Sequence, residues 1–325
     1  MKALQVSEPH AFRQVRVPVP KLEKAGLDRI LVQTQWLSLC GSDIPFFAGG
    51  KRNKTYPLQA GAPVHECMGK VIKSTSRHFH PGDLVVAIPE GDHGLAELFI
   101  AQASKAVRLP DSMESDGTAC LIQPLSTVLN AVDRLGSLEG KTAAVVGLGS
   151  IGLLFCWLLR QRGAASILGI DPIESRCRLA ERLGAARTLA RRSIEVLNSS
   201  ASGAGDWQPP DICIEAVGHQ METLNDCLGL VRKQGTVLAF GVPDQPVYAV
   251  EYETFFRKNL NLVAVVTPEW SEYLEKARDL FLENQAALGK LITHRLPIQE
   301  AARAFTLYER HADGIIKVLL STSTW

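Results

Sequence analysis

The chain has 325 residues, of which 46% are hydrophobic, and its formal net charge is +1. This length and apolar content allow a large buried core, which we expect to be divided between two domains. A charge so close to zero creates no overall field that attracts nucleic acid or an anionic membrane, so neither is predicted as a partner.

The apolar stretches of the sequence are too short to cross a bilayer, which takes about 20 residues. The longest of them, such as 142–148 and 152–159, fall well below that length. The first residues resemble the start of a β-strand and lack the long apolar region of a signal peptide. We therefore expect a cytoplasmic protein.

Seven cysteines occur in the chain, an odd number, and no two are spaced as Cys-x-x-Cys. This excludes a disulfide framework and a four-thiolate zinc site. We expect six of them to be small buried hydrophobic residues, as free cysteines usually are. Cys40 is the exception because of the residues that accompany it.

From residue 1 to about 110, short apolar runs alternate with Pro and Gly turns, a pattern that predicts antiparallel β structure. Strands are expected at 30–34, 70–73 and 83–88, with a turn at 81–83. The basic segment Lys51 to Lys54 is predicted to be an exposed loop.

After Ser112 the pattern changes to alternating helices and strands, which predicts a parallel sheet covered on both faces. The predicted helices are 121–135, 151–162, 174–183 and 221–231, and the predicted strands are 142–146, 166–170, 211–217 and 236–240. The small, polar stretch from Ser199 to Pro210 is predicted to be a loop.

The last part of the chain does not continue this alternation and is assigned to the first domain. Its predicted elements are a helix at 271–284, a strand at 293–296, a helix at 299–310 and a strand at 315–320. The expected domains are therefore residues 1–125 with 266–325, and residues 126–265.

The segment Gly147-Leu148-Gly149-Ser150-Ile151-Gly152 lies between an apolar strand and an apolar helix, as a dinucleotide-binding turn does. The first glycine permits the tight turn, the second lets a pyrophosphate approach, and the third lets helix and strand pack closely. The N–H groups at the start of the helix then face the phosphates. We expect Gly147, Gly149, Ser150, Ile151 and Gly152 to bind the cofactor.

Asp171 ends the next strand, 19 residues beyond Gly152. A carboxylate there can bind the adenosine ribose and repel a 2′-phosphate, which favours NAD over NADP. Arg176, which is expected to bind the cofactor, and Arg178 lie close by and keep NADP open as the less favoured alternative. The structural alternative for Asp171 is a residue at a helix N-terminus, which Pro172 directly after it supports.

Cys40, His65 and Glu66 supply a thiolate, an imidazole and a carboxylate, the kind of three-ligand set that holds a catalytic zinc ion. Adjacent residues on a regular strand point to opposite faces, so His65 and Glu66 reach one ion only where the backbone is irregular. Otherwise His65 ligates the metal and Glu66 supports it or coordinates intermittently. Asp43 is expected to orient His65 through its second ring nitrogen.

Taken together, these segments strongly resemble the zinc-dependent medium-chain dehydrogenases, and they resemble the polyol, sugar and threonine dehydrogenase branch most. The resemblance covers essentially the whole chain and is carried by Cys40-Gly41-Ser42-Asp43, His65-Glu66-x-x-Gly69, Gln123-Pro124-Leu125, Gly147/149/152, Glu215-Ala216-Val217-Gly218 and Thr293-His294-Arg295. It implies an α/β fold with a doubly wound Rossmann domain and a GroES-like, mainly antiparallel β catalytic domain.

The resemblance also implies functional residues. Cys40, His65 and Glu66 would ligate one catalytic zinc ion, with a water in the fourth place, and Ser42 would pass on the proton of the substrate hydroxyl. Val217 would contact NAD. Relatives of this kind are usually homodimers or homotetramers that extend the sheet of the cofactor domain.

The sequence departs from the family pattern in and around the metal site. Gln123 stands where most relatives have Glu, and it can hold the zinc water or ligate through its carbonyl oxygen but cannot take a proton. Pro45 replaces the relay histidine, and Val64 replaces a glycine. The stretch Pro89 to Gly94 replaces the lobe that binds a structural zinc, so one metal per chain is expected.

The leading hypothesis is a zinc-dependent, NAD-dependent oxidoreductase that acts on a secondary alcohol of a polyol, sugar or related metabolite. One alternative is a metal-free NAD(P)H-dependent reductase of the same fold, whose members generally lack the Cys and His-Glu positions. Another is a catalytically idle NAD-binding scaffold or sensor, which the changes at Pro45 and Gln123 keep open.

Overall fold

The computed structural model describes residues 1–22, 27–50, 55–201 and 208–325. It divides into two compact units, Met1–Ser126 with Glu269–Trp325, and Thr127–Pro268. The loop predicted from Lys51 to Lys54 lies outside the described residues, as does most of the loop predicted from Ser199 to Pro210.

Helices and strands occupy most of the described chain. The strands are β1 (Lys2–Glu8), β2 (Ala11–Arg16), β3 (Arg29–Ser38), β4 (Glu66–Ser74), β5 (Leu84–Ala87), β6 (Leu98–Gln102), β7 (Ala106–Arg108), β8 (Thr142–Val146), β9 (Ser166–Ile170), β10 (Arg187–Leu189), β11 (Ile212–Glu215), β12 (Thr236–Ala239), β13 (Asn261–Ala264), β14 (Ile292–Pro297) and β15 (Lys317–Ser321). The helices are α1 (Ile44–Ala48), α2 (Ile122–Asp133), α3 (Ser150–Gln161), α4 (Glu174–Arg182), α5 (Ser193–Ala201), α6 (Glu222–Leu230), α7 (Tyr252–Arg257), α8 (Trp270–Glu283), α9 (Gln285–Leu288) and α10 (Ala301–Arg310).

The first unit is built on a mainly antiparallel sheet with the strand order β14-β15-β3-β4-β5-β7, in which β6 also pairs with β3. The long strand β3 is central: it pairs antiparallel with β4, β6 and β15. β15 comes from the last part of the chain, yet it pairs with the end of β3, just before Cys40. In this pairing Leu319 lies opposite Ser38, and Ser38 lies opposite Glu66.

The core of the first unit joins the sheet to helices α1 and α10. Phe47 is fully buried and lies in ring contact with Phe12 and Phe305, at centroid distances of 5.3 and 4.9 Å. This aromatic cluster fixes α1, which directly follows the segment that carries Cys40. Phe47 is therefore a core residue, whereas its neighbour Phe46 is exposed.

The second unit is a parallel six-stranded sheet with the order β10-β9-β8-β11-β12-β13. All of its strand pairs are parallel and in continuous register. From β8 the chain runs outward to β9 and β10, then returns to β11 on the other side of β8. The strand order thus reverses between β8 and β11, the point at which sheets of this kind bind ligands.

The predicted fold class is confirmed, and the long periodic segments were placed within a few residues. The loop predicted from Ser199 was wrong at its start, because α5 continues to Ala201. The Ser199 and Ser200 hydroxyls donate to the carbonyls of Glu195 and Leu197, so the polar side chains are satisfied within the helix.

Helices of the described ranges are all too short or too polar to span a bilayer. The six cysteines expected to be buried hydrophobic residues are buried, and Cys40 is partly exposed. Burial raises the pKa of the Cys156 thiol to about 12, as expected for a thiol that serves only in packing.

Candidate functional site

Cys40 lies just beyond the end of β3, where the chain leaves the sheet and forms a 3-10 turn, Gly41–Asp43. The Cys40 N–H donates to Asp43 Oδ2 at 2.8 Å, and the Asp43 N–H donates to the Cys40 carbonyl at 3.0 Å. These two bonds close a small loop that fixes the direction of the cysteine side chain. Ser42 lies inside this turn and is partly exposed.

His65 directly precedes β4, whose first residue is Glu66. The alternation of a regular strand therefore does not apply between these two residues. The ligand atoms of Cys40, His65 and Glu66 all lie within 4.8 Å of one another. This spacing suits a sulfur, a nitrogen and an oxygen around a single small cation, so the donor set fits the predicted zinc ion.

Asp43 connects the cysteine loop to the histidine. Its Oδ1 lies 3.1 Å from His65 Nδ1, and the carboxylate is only 1% exposed. Burial lowers the pKa of His65, but the Asp43 carboxylate and Cys40 outweigh it and raise that pKa well above its usual value in the metal-free protein. With Nδ1 directed at Asp43, the Nε2 atom is left to face a metal.

Glu66 is held by two partners inside the protein. Lys317 Nζ lies 2.6 Å from Glu66 Oε1, and both side chains are fully buried. The Ser38 hydroxyl donates to Glu66 Oε2. Burial alone lowers the pKa of Lys317, whereas the nearby Glu66 carboxylate raises it above its usual value. Each carboxylate oxygen retains a further lone pair that a metal can use.

Sequence reasoning missed Lys317, although the sequence carried a signal for it. Lys317 is the one charged residue in the apolar run 315–320, which was predicted as a buried strand. A lysine in such a strand needs a buried anion as a partner. The partner is 251 residues away in sequence, and a strand pattern does not identify it.

Other thiols near the site stay out of the donor set. Cys67 follows Glu66 on β4, and Cys120 lies in the 3-10 helix Gly117–Leu121 that packs on β3 and β4. Burial raises the pKa of both thiols above the usual range. Thiols that stay protonated are poor metal ligands. Gln123 is buried near the start of α2, and its role at the metal stays a prediction.

The glycine turn of the second unit has the predicted geometry around its first and third glycines. Gly147 has a φ of +89°, and a Cβ there would lie 2.7 Å from the Val217 side chain. A Cβ on Gly152 would overlap the Gly147 carbonyl oxygen, so α3 packs directly on the turn. Both positions therefore require glycine for packing within the protein.

Gly149 differs from the other two glycines. A Cβ at this position would meet nothing within 4 Å, and its φ of −68° suits any residue. Gly149 is the N-cap of α3, whose first residues are Ser150 and Ile151. The protein itself does not require a glycine there, but a group bound against the backbone at the helix N-terminus does. This fits the pyrophosphate of a dinucleotide.

Asp171 braces the glycine turn from the next strand. Its Oδ2 accepts the Leu148 N–H and its Oδ1 accepts the Ile173 N–H, both at 2.8 Å. The Arg176 guanidinium lies 3.5 Å from Oδ2. Asp171 lies two residues before Ile173, the N-cap of α4, so its bond to the Ile173 N–H agrees with a role at the helix N-terminus, and its bond to the Leu148 N–H is an additional contact.

The Glu66–Lys317 pair makes a prediction about stability. Replacing Lys317 by Met leaves a buried carboxylate without its cation, and we expect this to lower the free energy of unfolding of metal-free protein by about 3–5 kcal/mol. Added zinc supplies a cation, so it should restore part of the loss. The measurement is urea unfolding of metal-free and zinc-loaded protein.

Two further variants control this experiment. The double variant Lys317→Met with Glu66→Gln removes both charges and should recover most of the stability. Lys276→Met breaks an exposed ion pair with Glu272 and should cost less than about 1 kcal/mol. A loss in Lys317→Met no larger than in Lys276→Met would contradict a stabilising role for the buried pair.

Two family models match this chain. Residues 26–111 match the alcohol dehydrogenase GroES-like domain, and residues 150–283 match the zinc-binding dehydrogenase family. The two matches fall on the sheet of the first unit and on the parallel sheet of the second. Together they cover more than half of the chain.

Similar proteins span nearly its whole length. Sorbitol dehydrogenase of Gallus gallus is 25% identical over 96% of this chain and 94% of the relative. L-threonine 3-dehydrogenase of Bacillus licheniformis is 24% identical over 98% of both chains.

Solved structures of similar fold also match nearly the whole chain. The alcohol dehydrogenase TADH from Thermus sp. ATN1 has a TM-score of 0.83 with 25% identity, covering 99% of this chain and all of that chain. Galactitol-1-phosphate dehydrogenase from Escherichia coli has a TM-score of 0.81 with 23% identity and the same coverage. The chain belongs to the zinc-dependent medium-chain dehydrogenase/reductase superfamily, as a zinc- and NAD(P)-type alcohol dehydrogenase.

Proposed function

We propose that this protein transfers hydride between NAD and a secondary alcohol of a polyol, sugar or related hydroxylated metabolite, with one zinc ion per chain. The observation that carries the proposal is the cluster of Cys40, His65 and Glu66, whose ligand atoms lie within 4.8 Å of one another. A metal-free reductase has no use for this donor set, so that alternative is not favoured.

The relatives support the substrate class. They are named for sorbitol, for L-threonine and for galactitol 1-phosphate, compounds that each carry a secondary hydroxyl group. A small molecule of this kind is the proposed substrate here. These three compounds share the secondary hydroxyl group but differ in the rest of the molecule. We therefore propose a class of substrates, the secondary alcohols, and not a single compound.

In the proposed site, Cys40, His65 and Glu66 hold the metal. Zinc, when bound, lowers the pKa of a hydroxyl group that reaches it. Asp43 keeps the His65 ring in place and holds the proton on its Nδ1. Lys317 balances the charge of Glu66, its Nζ lying 2.6 Å from Glu66 Oε1.

Ser42 is the proposed proton carrier. It lies two positions after Cys40 in the same 3-10 turn and is partly exposed, so its hydroxyl can accept the substrate proton and release it onward. Pro45 and Gln123 have no side chain that titrates, and neither can continue the relay. Ser42 would therefore hold the substrate proton and release it towards solvent without help from a titrating side chain at positions 45 and 123.

The cofactor is proposed to lie along the glycine turn. Gly149 leaves space for the pyrophosphate at the N-terminus of α3, and NAD bound there would supply the hydride acceptor. The Asp171 carboxylate disfavours a 2′-phosphate, which supports NAD over NADP. Arg176 lies within 3.5 Å of Asp171 and its charge is directed at that carboxylate. Val217 borders the turn through its contact with Gly147.

We propose that the chain forms a homodimer or a homotetramer through the edge strand β13. This strand ends the parallel sheet, and three of its four residues are exposed. The nearby apolar side chains of Tyr252, Phe256 and Leu262 are 68%, 63% and 40% exposed. An exposed edge with apolar neighbours is a template for pairing with a second copy. A cytoplasmic location remains a prediction from the sequence.

Metal content and activity test the proposed reaction. The purified protein should contain one zinc per chain and should reduce NAD with at least one of a panel of polyols, sugar alcohol phosphates and hydroxy amino acids. Cys40→Ser should lose most of the zinc and lower kcat/KM by more than about 100-fold, since even outer-sphere changes at zinc cost 10–100-fold.

Cys156→Ala is the matched control, because Cys156 is buried in α3 of the second unit. It should keep the zinc content and the kcat/KM of the wild type. Metal-free protein with full activity, or a Cys40→Ser variant as active as Cys156→Ala, would refute the proposed reaction.

Asp171 should set the choice of cofactor. Wild-type kcat/KM should be higher with NAD than with NADP, and Asp171→Asn should narrow that ratio by about tenfold, or 1.4 kcal/mol, because the repulsive charge is removed. Glu174→Gln removes an exposed charge close by and should leave the ratio unchanged. An unchanged ratio in Asp171→Asn would mean that its carboxylate serves only to brace the glycine turn.

The proposed dimer predicts a change in molar mass when the edge is disrupted. Leu262→Lys places a charge on β13 and should shift the protein from dimer or tetramer towards smaller species in light scattering at micromolar concentration. Ile194→Lys, at a 44% exposed position on α5, should leave the molar mass unchanged. A monomeric wild type would exclude the proposed assembly.

A further inference from the structure

Glu215 is a buried acidic residue to which the proposed chemistry gives no part. It is the last residue of β11, and only 4% of it is exposed. The three residues before it on this strand are apolar and buried. Because burying a charge is costly, a carboxylate in this position needs strong partners.

The Glu215 carboxylate is bound on both oxygens by neutral donors. Oε1 accepts the N–H groups of Val217 and Gly218, each at 3.0 Å, and the Thr223 hydroxyl at 2.9 Å. Oε2 accepts the Gly241 N–H at 3.1 Å. Hydrogen bonds to an ionised acceptor are stronger than those between neutral groups, which compensates for the burial.

The backbone donors belong to two different loops, 216–219 after β11 and 240–242 after β12, whereas Thr223 lies in helix α6. The loops also contact each other directly: the His219 N–H donates to the Val242 carbonyl at 2.7 Å. A Cβ on Gly218 would lie 2.7 Å from Val242 N, and one on Gly241 would overlap Glu215 Oε2 and the backbone of Gly218. Glu215 therefore ties together two loops that are already in backbone contact.

The first of these loops also lies against the glycine turn. The Ala216 N–H donates to the Val146 carbonyl at 2.8 Å, directly before Gly147. A Cβ on Gly147 would lie 2.7 Å from Val217 Cγ2. The segments that follow β8, β11 and β12 are thus adjacent at the carboxyl ends of these strands, and Glu215 joins two of the segments.

The strand order reverses at this place, between the central strands β8 and β11. Ligands of parallel sheets bind outside the carboxyl ends of the strands at such a point. Asp171 lies on the β9 side of the glycine turn, where it would meet the adenosine half of a dinucleotide. The remaining half of a dinucleotide bound in this direction would extend over β11 and β12, onto the loops that Glu215 holds.

We propose that Glu215 is a positioning residue for the cofactor. Its carboxylate holds loops 216–219 and 240–242 in the arrangement that receives the half of NAD distal to the adenosine. The proposal rests on the proposed use of NAD. Glutamine at this position cannot do the same, because its amide NH2 replaces one acceptor and faces the N–H groups of one loop or the other.

Direct binding of NADH, without substrate, tests the proposal. Glu215→Gln should weaken the Kd for NADH at least tenfold in a fluorescence titration at a temperature at which the variant is fully folded by circular dichroism. Asp226→Asn is the matched control, since Asp226 is a buried acid of the same unit that binds the Ser193 hydroxyl at 2.6 Å. It should lower the Tm without changing the Kd.

A second measurement covers the case in which Glu215→Gln fails to fold. In wild-type protein, NADH should slow amide hydrogen exchange at 216–219 and at 240–242 in addition to the glycine turn. Protection at the turn alone would overturn the proposal.

The outcomes separate this inference from the proposed function. Wild-type protein that binds no NADH would refute the use of NAD, and the role of Glu215 with it. Wild-type protein that binds NADH, with Glu215→Gln binding it equally well, would overturn only the role of Glu215.

Discussion

A buried ion pair between Glu66 and Lys317 joins the candidate metal site to the closing strand of the chain. Both side chains are removed from water, so the Lys317 ammonium needs the Glu66 carboxylate, and the carboxylate needs either Lys317 or a bound cation. Glu66 begins β4 and Lys317 begins β15, and the two strands lie on either side of β3. The site therefore depends on the return of the last segment to the first sheet.

Local backbone geometry brings the three ligands together, although Cys40 and His65 are 25 residues apart in sequence. The 3-10 turn after β3 fixes Cys40, and the position of His65 before β4 frees it from strand alternation. Asp43 joins the two through one carboxylate. The resulting donor set is partly exposed at Cys40 and His65 but closed behind Glu66, as suits an ion with one open position for a substrate.

Local patterns were sufficient for much of the fold and for part of the site. The buried strand β8, the glycine turn and α3 follow from apolar periodicity and from residues that special backbone geometry requires. The elements β10, α5 and α7 were missed, because β10 and α7 have only three and six residues and α5 ends in small polar residues that favour a loop. The roles of Lys317 and Glu215 were missed for another reason. Each is a lone charge at a terminus of an apolar strand, Lys317 at the start of β15 and Glu215 at the end of β11, and only the folded chain shows which groups bind it.

The proposed metal site is defined by the atoms that hold the metal. X-ray absorption at the zinc edge of the zinc-loaded protein measures them directly. It should give one sulfur at about 2.3 Å with the remaining ligands nitrogen or oxygen at about 2.0–2.2 Å. A shell with no sulfur, or with two or more, would contradict a centre built from Cys40, His65 and Glu66.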